Sequence, residues 1–341
     1  MKPLTWETLD WAVLDRLRET FLNAKPGGGA YWNSLSDLAN YNFTYAQRIG
    51  WKWDAVLREL KLRDWTPSPG PLLDWGCGSG IAGRCVLDFF GAQTFERLRV
   101  FDHSALAMQF AIEKANESFP ELAAEAAGPS WIGGEEPVGT LLVSHVLNEL
   151  DEAGGRALRQ VIDRAVAVIW VEPGTYADSR SLILMREALR DQFQVIAPCT
   201  HQANCGLLAE SNERHWCHHF ATPPAGIMAD SNWVRFSQRA GIDLRSLPYS
   251  FLVLERRSLR EPIPGLLAEG WSRVLGKPRI YKGFAKVLSC QEGGVRELEL
   301  QKRDAPEVFK AMKSGDAPHL LRGEDDGKHF GSLTDFKRLA D

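Results

Sequence analysis

Asp74-Trp75-Gly76-Cys77-Gly78-Ser79-Gly80 is the stretch on which the reading of the chain turns. A short apolar run, Leu72 to Trp75, leads into it, and an amphipathic run, Ile81 to Phe90, leaves it. The first has the length of a buried strand and the second the spacing of a helix. Glycines in such a turn accept positive φ and let a ligand approach the backbone. The helix start that follows offers unpaired N–H groups to a carboxylate or phosphate. Asp102 lies 22 residues after Gly80, at the end of the next apolar run, Leu98 to Asp102. An acid there can accept hydrogen bonds from two ribose hydroxyls. The glycines are spaced G-x-G-x-G rather than G-x-G-x-x-G, which argues against a dinucleotide site.

Beyond the turn, apolar strands and amphipathic helices alternate. Helices are expected over Ala105–Asn116, Glu152–Ala165 and Arg180–Phe193, and strands over Leu141–Val146, Val166–Val171, Gln194–Ala197 and Ser250–Glu255. This alternation predicts an α/β domain with a parallel sheet covered by helices on both faces. Two further strands are expected around Gln291-Glu292-Gly293-Gly294, within Ile280–Arg303. Residues 1–66 read as helical, with Trp6, Leu9, Val13, Leu14, Leu17 and Phe21 on one face and a break at Lys25–Ala30. Residues 311–341 read as a polar tail whose end frays.

Composition sets outer limits. The chain has 341 residues, 44% apolar and 25% charged, an ordinary globular balance that excludes wholesale disorder. Its longest clean apolar run, Ala165–Val171, is far short of the ~20 residues a spanning helix needs. Glu7 and Asp10 near the start argue against a secretory signal or an acid-poor presequence. Six cysteines in this length do not make a disulfide scaffold. The net charge is −4, yet Arg245–Arg303 holds 12 basic and 6 acidic residues, a local +6. That bias fits an RNA-facing surface as well as a solvated charged face.

Asp74-x-Gly76-x-Gly78-x-Gly80 resembles the first motif of class I S-adenosylmethionine methyltransferases. The resemblance implies that Gly76, Gly78 and Gly80 shape the cofactor pocket, Asp74 organises the turn and Asp102 binds ribose. Ser144-His145-Val146-Leu147-Asn148-Glu149-Leu150 ends the fourth strand and faces the same cleft. Asn148 is placed with the cofactor residues. Methyltransferases acting on exocyclic amines usually carry Asp/Asn-Pro-Pro-aromatic here, so that chemistry is not supported. Glu149 is a weak candidate for a general base against a structural role. Cys77 and Cys85 read as packing residues.

Cys199, Cys205 and Cys217 are separated by five and then eleven intervening residues, not the two of a C-x-x-C pair, among His201, His215, His218 and His219, and Cys290 follows much later. Four thiolates can close a tetrahedral zinc shell or hold a [4Fe–4S] cubane, and spacing alone leaves the metal open. A histidine, His215 or His218, is a lesser candidate ligand. The surrounding words are more specific: Ala197-Pro198-Cys199-Thr200-His201, Cys205-Gly206-Leu207, and His215-Trp216-Cys217-His218-His219-Phe220. With Tyr249–Leu254, Arg48–Trp53 and Val171–Thr175 they resemble the methyltransferase-like family associated with the mitochondrial small ribosomal subunit and its bacterial relatives, over roughly residues 40 to 305. Thr200 and Gly206 stand where that family has proline, and His219 is an added histidine.

The resemblance implies a [4Fe–4S] cluster on Cys199, Cys205, Cys217 and Cys290, a class I methyltransferase core, and a role in small-subunit assembly or translation through rRNA. The expected organisation is an N-terminal helical module (1–66), a methyltransferase-like domain (67–257) carrying a Cys/His-rich insertion (198–247), a basic β extension supplying the fourth cysteine (258–310), and the tail. Arg256, Arg257, Arg273, Lys277, Arg279, Lys282 and Lys286 form the candidate rRNA contact. Trp51 and Trp53 suit either base stacking or the core, with the core favoured. Two rivals stand beside an rRNA methyltransferase: a non-catalytic assembly factor that keeps the fold, and a small-molecule methyltransferase with structural zinc. Neither DNA nor a membrane is an expected partner. The expected compartment is the bacterial cytoplasm, or the mitochondrial matrix if a presequence has been removed.

Overall fold

A computed structural model describes residues 3–23, 27, 31–257 and 265–339. The helical first part comprises α1 (Trp11–Leu22), α2 (Leu35–Phe43) and α3 (Tyr45–Leu62). Then follow β1 (Gly70–Trp75), α4 (Ile81–Phe90), β2 (Phe95–Phe101), α5 (Ala105–Ser118), β3 (Ala124–Ala126), α6 (Pro129–Ile132), β4 (Val138–Ser144), α7 (Glu152–Ile162) and β5 (Ala165–Pro173). Next come α8 (Tyr176–Leu189), β6 (Phe193–Ala197), β7 (His219–Ala221), α9 (Ser231–Ala240) and β8 (Leu247–Arg256). The last part holds β9 (Trp271–Ile280), β10 (Phe284–Gln291), β11 (Gly294–Gln301), α10 (Pro306–Ser314), β12 (Leu320–Asp325) and β13 (Phe330–Lys337). The chain divides into two compact units, the first of residues 1–57, 67–172 and 221–247, the second of residues 58–66, 173–220 and 248–341.

In the first unit the strands run parallel in the order β3-β2-β1-β4-β5. β1 pairs Leu72 with Leu98 on one side and Thr140 on the other. Leu72, Leu73, Leu141, Leu142, Val168 and Ile169 are buried, as expected for central strands covered on both faces. Ser104 caps α5 through its hydroxyl at Ala107 N, 3.3 Å, and Asp151 caps α7 at Gly154 N, 2.8 Å. Helices α1 and α2 pack Leu17, Leu38 and the preceding Trp32 onto Ala107 and Phe110 of α5. Trp53 is fully buried and donates its indole N–H to Ser144 Oγ at 3.0 Å, so it belongs to the core rather than to a base-stacking surface. Trp51 packs on Trp233, ring centroids 5.1 Å apart.

Helix α9 falls inside the segment read as the Cys/His-rich insertion, yet it sits in this first unit. Its Phe236 and Ala240 pack on Leu9 and Leu14. Arg18 Nε donates to the Ala240 carbonyl at 2.6 Å, closing the helix end that Gly241 terminates at φ +64°. The break expected at Lys25–Ala30 lies outside the described residues apart from Gly27, whose N–H donates to the Glu149 carbonyl at 3.0 Å.

In the second unit β6 pairs antiparallel with β8, and an antiparallel sheet runs in the order β11-β10-β9-β12-β13. The hairpin expected around Gln291–Gly294 is β10–β11, with Cys290 opposite Val295. Residues 311–337 are not a fraying tail. Leu321 and Phe330 join Met312 and Phe309 of α10 in a core with Val287 and Leu298. The segment misleads as sequence because β12 and β13 bury few side chains and expose the rest. The basic patch also changes character. Arg273 is 1% exposed and bound to Glu59 at 2.5 Å, Arg279 pairs with Glu297, and Lys286 stands 3.2 Å from Glu297. Of the seven candidates, Lys277, Arg279 and Lys282 are exposed, and Lys277 lies over the Phe220 ring.

Candidate functional site

The β1–α4 turn has the geometry its glycines predict. Gly76, Gly78 and Gly80 have φ of +70°, +49° and +72°, all left-handed. A Cβ on Gly76 would stand 2.5 Å from Val146 Cγ1, and one on Gly80 2.8 Å from Ala111 Cβ. A Cβ on Gly78 would meet nothing within 4 Å, so this glycine faces open space. Asp102 braces the turn: its Oδ2 accepts from Gly78 N at 3.0 Å and its Oδ1 from Ser104 N at 2.9 Å. Burial pushes the Asp102 carboxyl up, and the two N–H groups oppose that. Asp74, 1% exposed, accepts from Gly83 N at 3.0 Å through Oδ2, while burial carries its carboxyl up to about 7. Asp74 therefore ties the strand to the first turn of α4.

The segment after β4 reaches the same end of the sheet. His145 takes φ +56°, unusual for a residue with a Cβ, and its Nε2 lies 3.2 Å from Lys52 Nζ. Glu172 Oε1 accepts from Val146 N, Leu147 N and Trp170 Nε1 at 3.1, 3.3 and 2.7 Å, pinning the loop that carries Asn148 and Glu149. Asn148 is exposed in that loop. Glu149 is engaged: Tyr31 donates its hydroxyl to the carboxylate, 3.1 Å to Oε2. Burial raises the Glu149 carboxyl, and the Tyr31 bond works against it. Neither Tyr31 nor Glu172 stood out in the sequence. Glu172 lay in a matching word, Val171–Thr175, whereas nothing local marks Tyr31.

The second site lies in the second unit. Cys205 and Cys290 share one apolar cluster with Ile183, Leu207, Leu275 and Val295, and Cys217 packs against it. All six cysteines of the chain are free thiols. Burial pushes the Cys205 thiol up to about 11, with the neighbouring Cys199 adding to the shift. Burial likewise raises Cys217 and Cys290, and the neighbouring Cys199 adds to the shift in each case. Cys205, Cys217 and Cys290 thus meet in one apolar cluster, and Cys199 lies near enough to influence all three. Gly206 explains one departure from the family pattern. A Cβ there would stand 2.8 Å from Gly294 Cα, so the 205–208 turn presses on β11 where a larger residue has no room.

The histidines divide. His219 Nε2 stands 3.7 Å from Cys217 Sγ and His201 Nε2 3.9 Å from Cys290 Sγ. His218 stacks on Trp216 instead, and His215 accepts from Arg214 Nε at 3.2 Å, so the two histidines considered as ligands are occupied elsewhere. Among the described residues, no group of three or more His, Cys, Asp or Glu side chains is arranged to hold a metal ion. Thiol sulfur is the donor type that soft metals and iron–sulfur clusters take. Cys199 and His201 also border a cavity of about 350 Å³ with Thr200, Gln202, Trp271 and Gln291.

A parallel β3-β2-β1-β4-β5 sheet, a glycine turn after β1 and an acid closing β2 define the fold of the class I S-adenosylmethionine methyltransferases. Residues 41–317 match the model of the mitochondrial small ribosomal subunit Rsm22 family, and the chain belongs to that family. No match was found among curated proteins. Similar solved structures include magnesium protoporphyrin IX methyltransferase from Synechocystis with bound S-adenosylhomocysteine, at 13% identity, covering 73% of this chain and 96% of that one, TM-score 0.37. Another is the plantazolicin methyltransferase BpumL in complex with the same product, at 12% identity, covering 74% and 98%, TM-score 0.38. No described helix is long and apolar enough to cross a membrane.

Proposed function

We propose that the chain is an S-adenosylmethionine-binding, methyltransferase-like protein that acts on or binds small-subunit rRNA during ribosome assembly, with a [4Fe–4S] cluster on Cys199, Cys205, Cys217 and Cys290. The observation that carries the cofactor half is Gly78, open to space in a turn braced by Asp102. Asp102 would hold the ribose hydroxyls, Gly76, Gly78 and Gly80 would leave room for the methionine end, and Asn148 would border the pocket. S-Adenosylmethionine supplies an electrophilic methyl group when bound. Family membership supports the ribosomal half. The meeting of the free cysteines Cys205, Cys217 and Cys290 in one apolar cluster supports the cluster reading. Lys277, Arg279 and Lys282 are the exposed basic residues of the β9–β10 end and would contact phosphate.

A second reading, a non-catalytic assembly factor, is favoured by Glu149, whose carboxylate already accepts the Tyr31 hydroxyl and so has a structural partner within the unit. Methylation mapping on small-subunit rRNA from a deletion strain separates the two. The enzyme reading expects one methyl group to disappear and to return with the wild-type gene. Unchanged methylation with defective small subunits would establish the factor.

A further inference from the structure

The strands β9 to β13 close on themselves. β9 pairs antiparallel with β10 and β12, β10 with β11, and β12 with β13. The remaining gap is bridged in parallel: Glu299 of β11 pairs with His329, just before β13, and Glu299 N donates to the Lys328 carbonyl at 2.7 Å. β9 bends to serve both neighbours. Gly276, at φ +65°, lies where the β9–β10 register shifts between Lys286 and Leu288. Helix α10, between β11 and β12, fills the interior with Val308, Phe309 and Met312 against Val287, Leu298 and Leu321. Five strands so ordered, with the third parallel to the fifth and a helix before the fourth, make an OB-fold barrel.

A fold alone assigns no ligand, so the side chains of the β10–β11 face must decide. One half of that face is covered, since Leu288, Cys290 and Val295 pack on Cys205 and Leu207. The other half lies between two loops, residues 281–283 and 326–329. Lys302 N donates to the Gly283 carbonyl at 2.9 Å and ties the first loop to the end of β11. Asp326 Oδ1 accepts from Lys328 N and His329 N at 2.8 and 2.7 Å and sets the second. The carboxylates of this half are already matched: Glu297 by Arg279 and Lys286, Glu299 by Lys286 at 3.5 Å. Lys282, Lys302 and Lys328 are exposed and form no ion pair among the described residues. Tyr281 is 43% exposed and stacks on Phe284, ring centroids 4.6 Å and planes 9° apart, so Phe284 backs one face of its ring.

We infer that this half of the barrel face binds a single strand of RNA, with Lys282, Lys302 and Lys328 on its phosphates and a base stacked on Tyr281. Unmatched ammonium groups around an exposed, backed aromatic ring suit a polyanion whose bases are unpaired. A duplex hides its base faces, and a neutral oligosaccharide, another ligand of this fold, gives the lysines no charge to meet. The face adds two lysines and a stacking ring to the phosphate contact proposed above. That the strand is RNA rests on the ribosomal reading; the face needs neither the cofactor nor the cysteines.

The test is fluorescence anisotropy of the full chain with a labelled oligouridine of about 12 nucleotides, within the reach of one such barrel, beside an RNA duplex of equal length. The single strand is expected to bind more tightly than the duplex. Each phosphate contact adds about 0.7 to the slope of log K against log salt, so the triple variant Lys282→Gln, Lys302→Gln, Lys328→Gln should flatten it by about 2. Tyr281→Ala should weaken binding about tenfold with the slope unchanged. Equal affinity for the duplex, or native slope and affinity in the variants, overturns the inference. Should a variant fail to fold, photocrosslinking of the native chain to the same strand carrying 4-thiouridine decides alone: adducts are expected within the two loops and the β10–β11 face, and adducts confined to other segments contradict it. No binding beside defective small subunits in the deletion strain strikes this inference and spares the ribosomal reading. Binding beside normal subunits strikes that reading alone.

Discussion

Glu59→Ala is expected to destabilise the second unit by about 3–5 kcal/mol, the usual cost of removing one partner from a buried ionic group. Glu59 is fully buried between Arg63 and Arg273, so the substitution leaves two guanidinium groups without their shared carboxylate. Urea unfolding read through the probes of that unit measures the loss. Acid should reproduce part of it. Burial pushes the Glu59 carboxyl up, but Arg273 and Arg63 outweigh it and hold the group at about 2, below its ordinary 4.5. A carboxyl depressed in the folded state contributes stability that is complete above its unfolded pKa and is lost as pH falls through the folded value. The wild-type chain should therefore lose this contribution between about pH 4.5 and 2, and Glu59→Ala should show a flatter profile across that window.

Asp102→Ala is expected to weaken S-adenosylmethionine binding by about 10- to 100-fold. Hydrogen bonds to a charged group contribute about 1.5–3 kcal/mol each, and 1.4 kcal/mol is tenfold in affinity. The same carboxylate braces Gly78 N and Ser104 N, so its loss also loosens the turn the cofactor must enter. Calorimetric titration of both chains checks the ratio. Because burial raises the Asp102 carboxyl, wild-type affinity should begin to fall on acidification above the ordinary carboxylate range. Equal affinity in the two chains would place the cofactor elsewhere.

The parts of this molecule that could be read in advance are those encoded locally. Leu72–Gly80 and Asp102 lie within one β-α-β passage, so strand length, glycine spacing and the position of the acid constrain one another without knowledge of the rest. The convergence of Cys290 with Cys205 and Cys217 had no such local basis. It came from a resemblance between words, since the intervals alone leave the metal, zinc or iron, undecided. What escaped the reading depends on partners far apart in the chain. Arg273 looked like one more cation of a basic surface because nothing beside it in the sequence announces Glu59, which lies 214 residues away. Tyr31 meets Glu149 across 118 residues, turning a candidate base into a hydrogen-bonded carboxylate. In β12 and β13 the few buried residues, Leu321 and Phe330 among them, are too sparse to give a period-two pattern.

The proposal that one inorganic centre joins Cys290 to the three earlier cysteines is tested most directly by iron and acid-labile sulfide analysis of the anaerobically purified chain beside Cys290→Ser. The account predicts roughly four iron and four sulfide per native chain, with loss of most of both in the variant. Stoichiometric zinc without sulfide, or a variant that keeps its full iron, would contradict it.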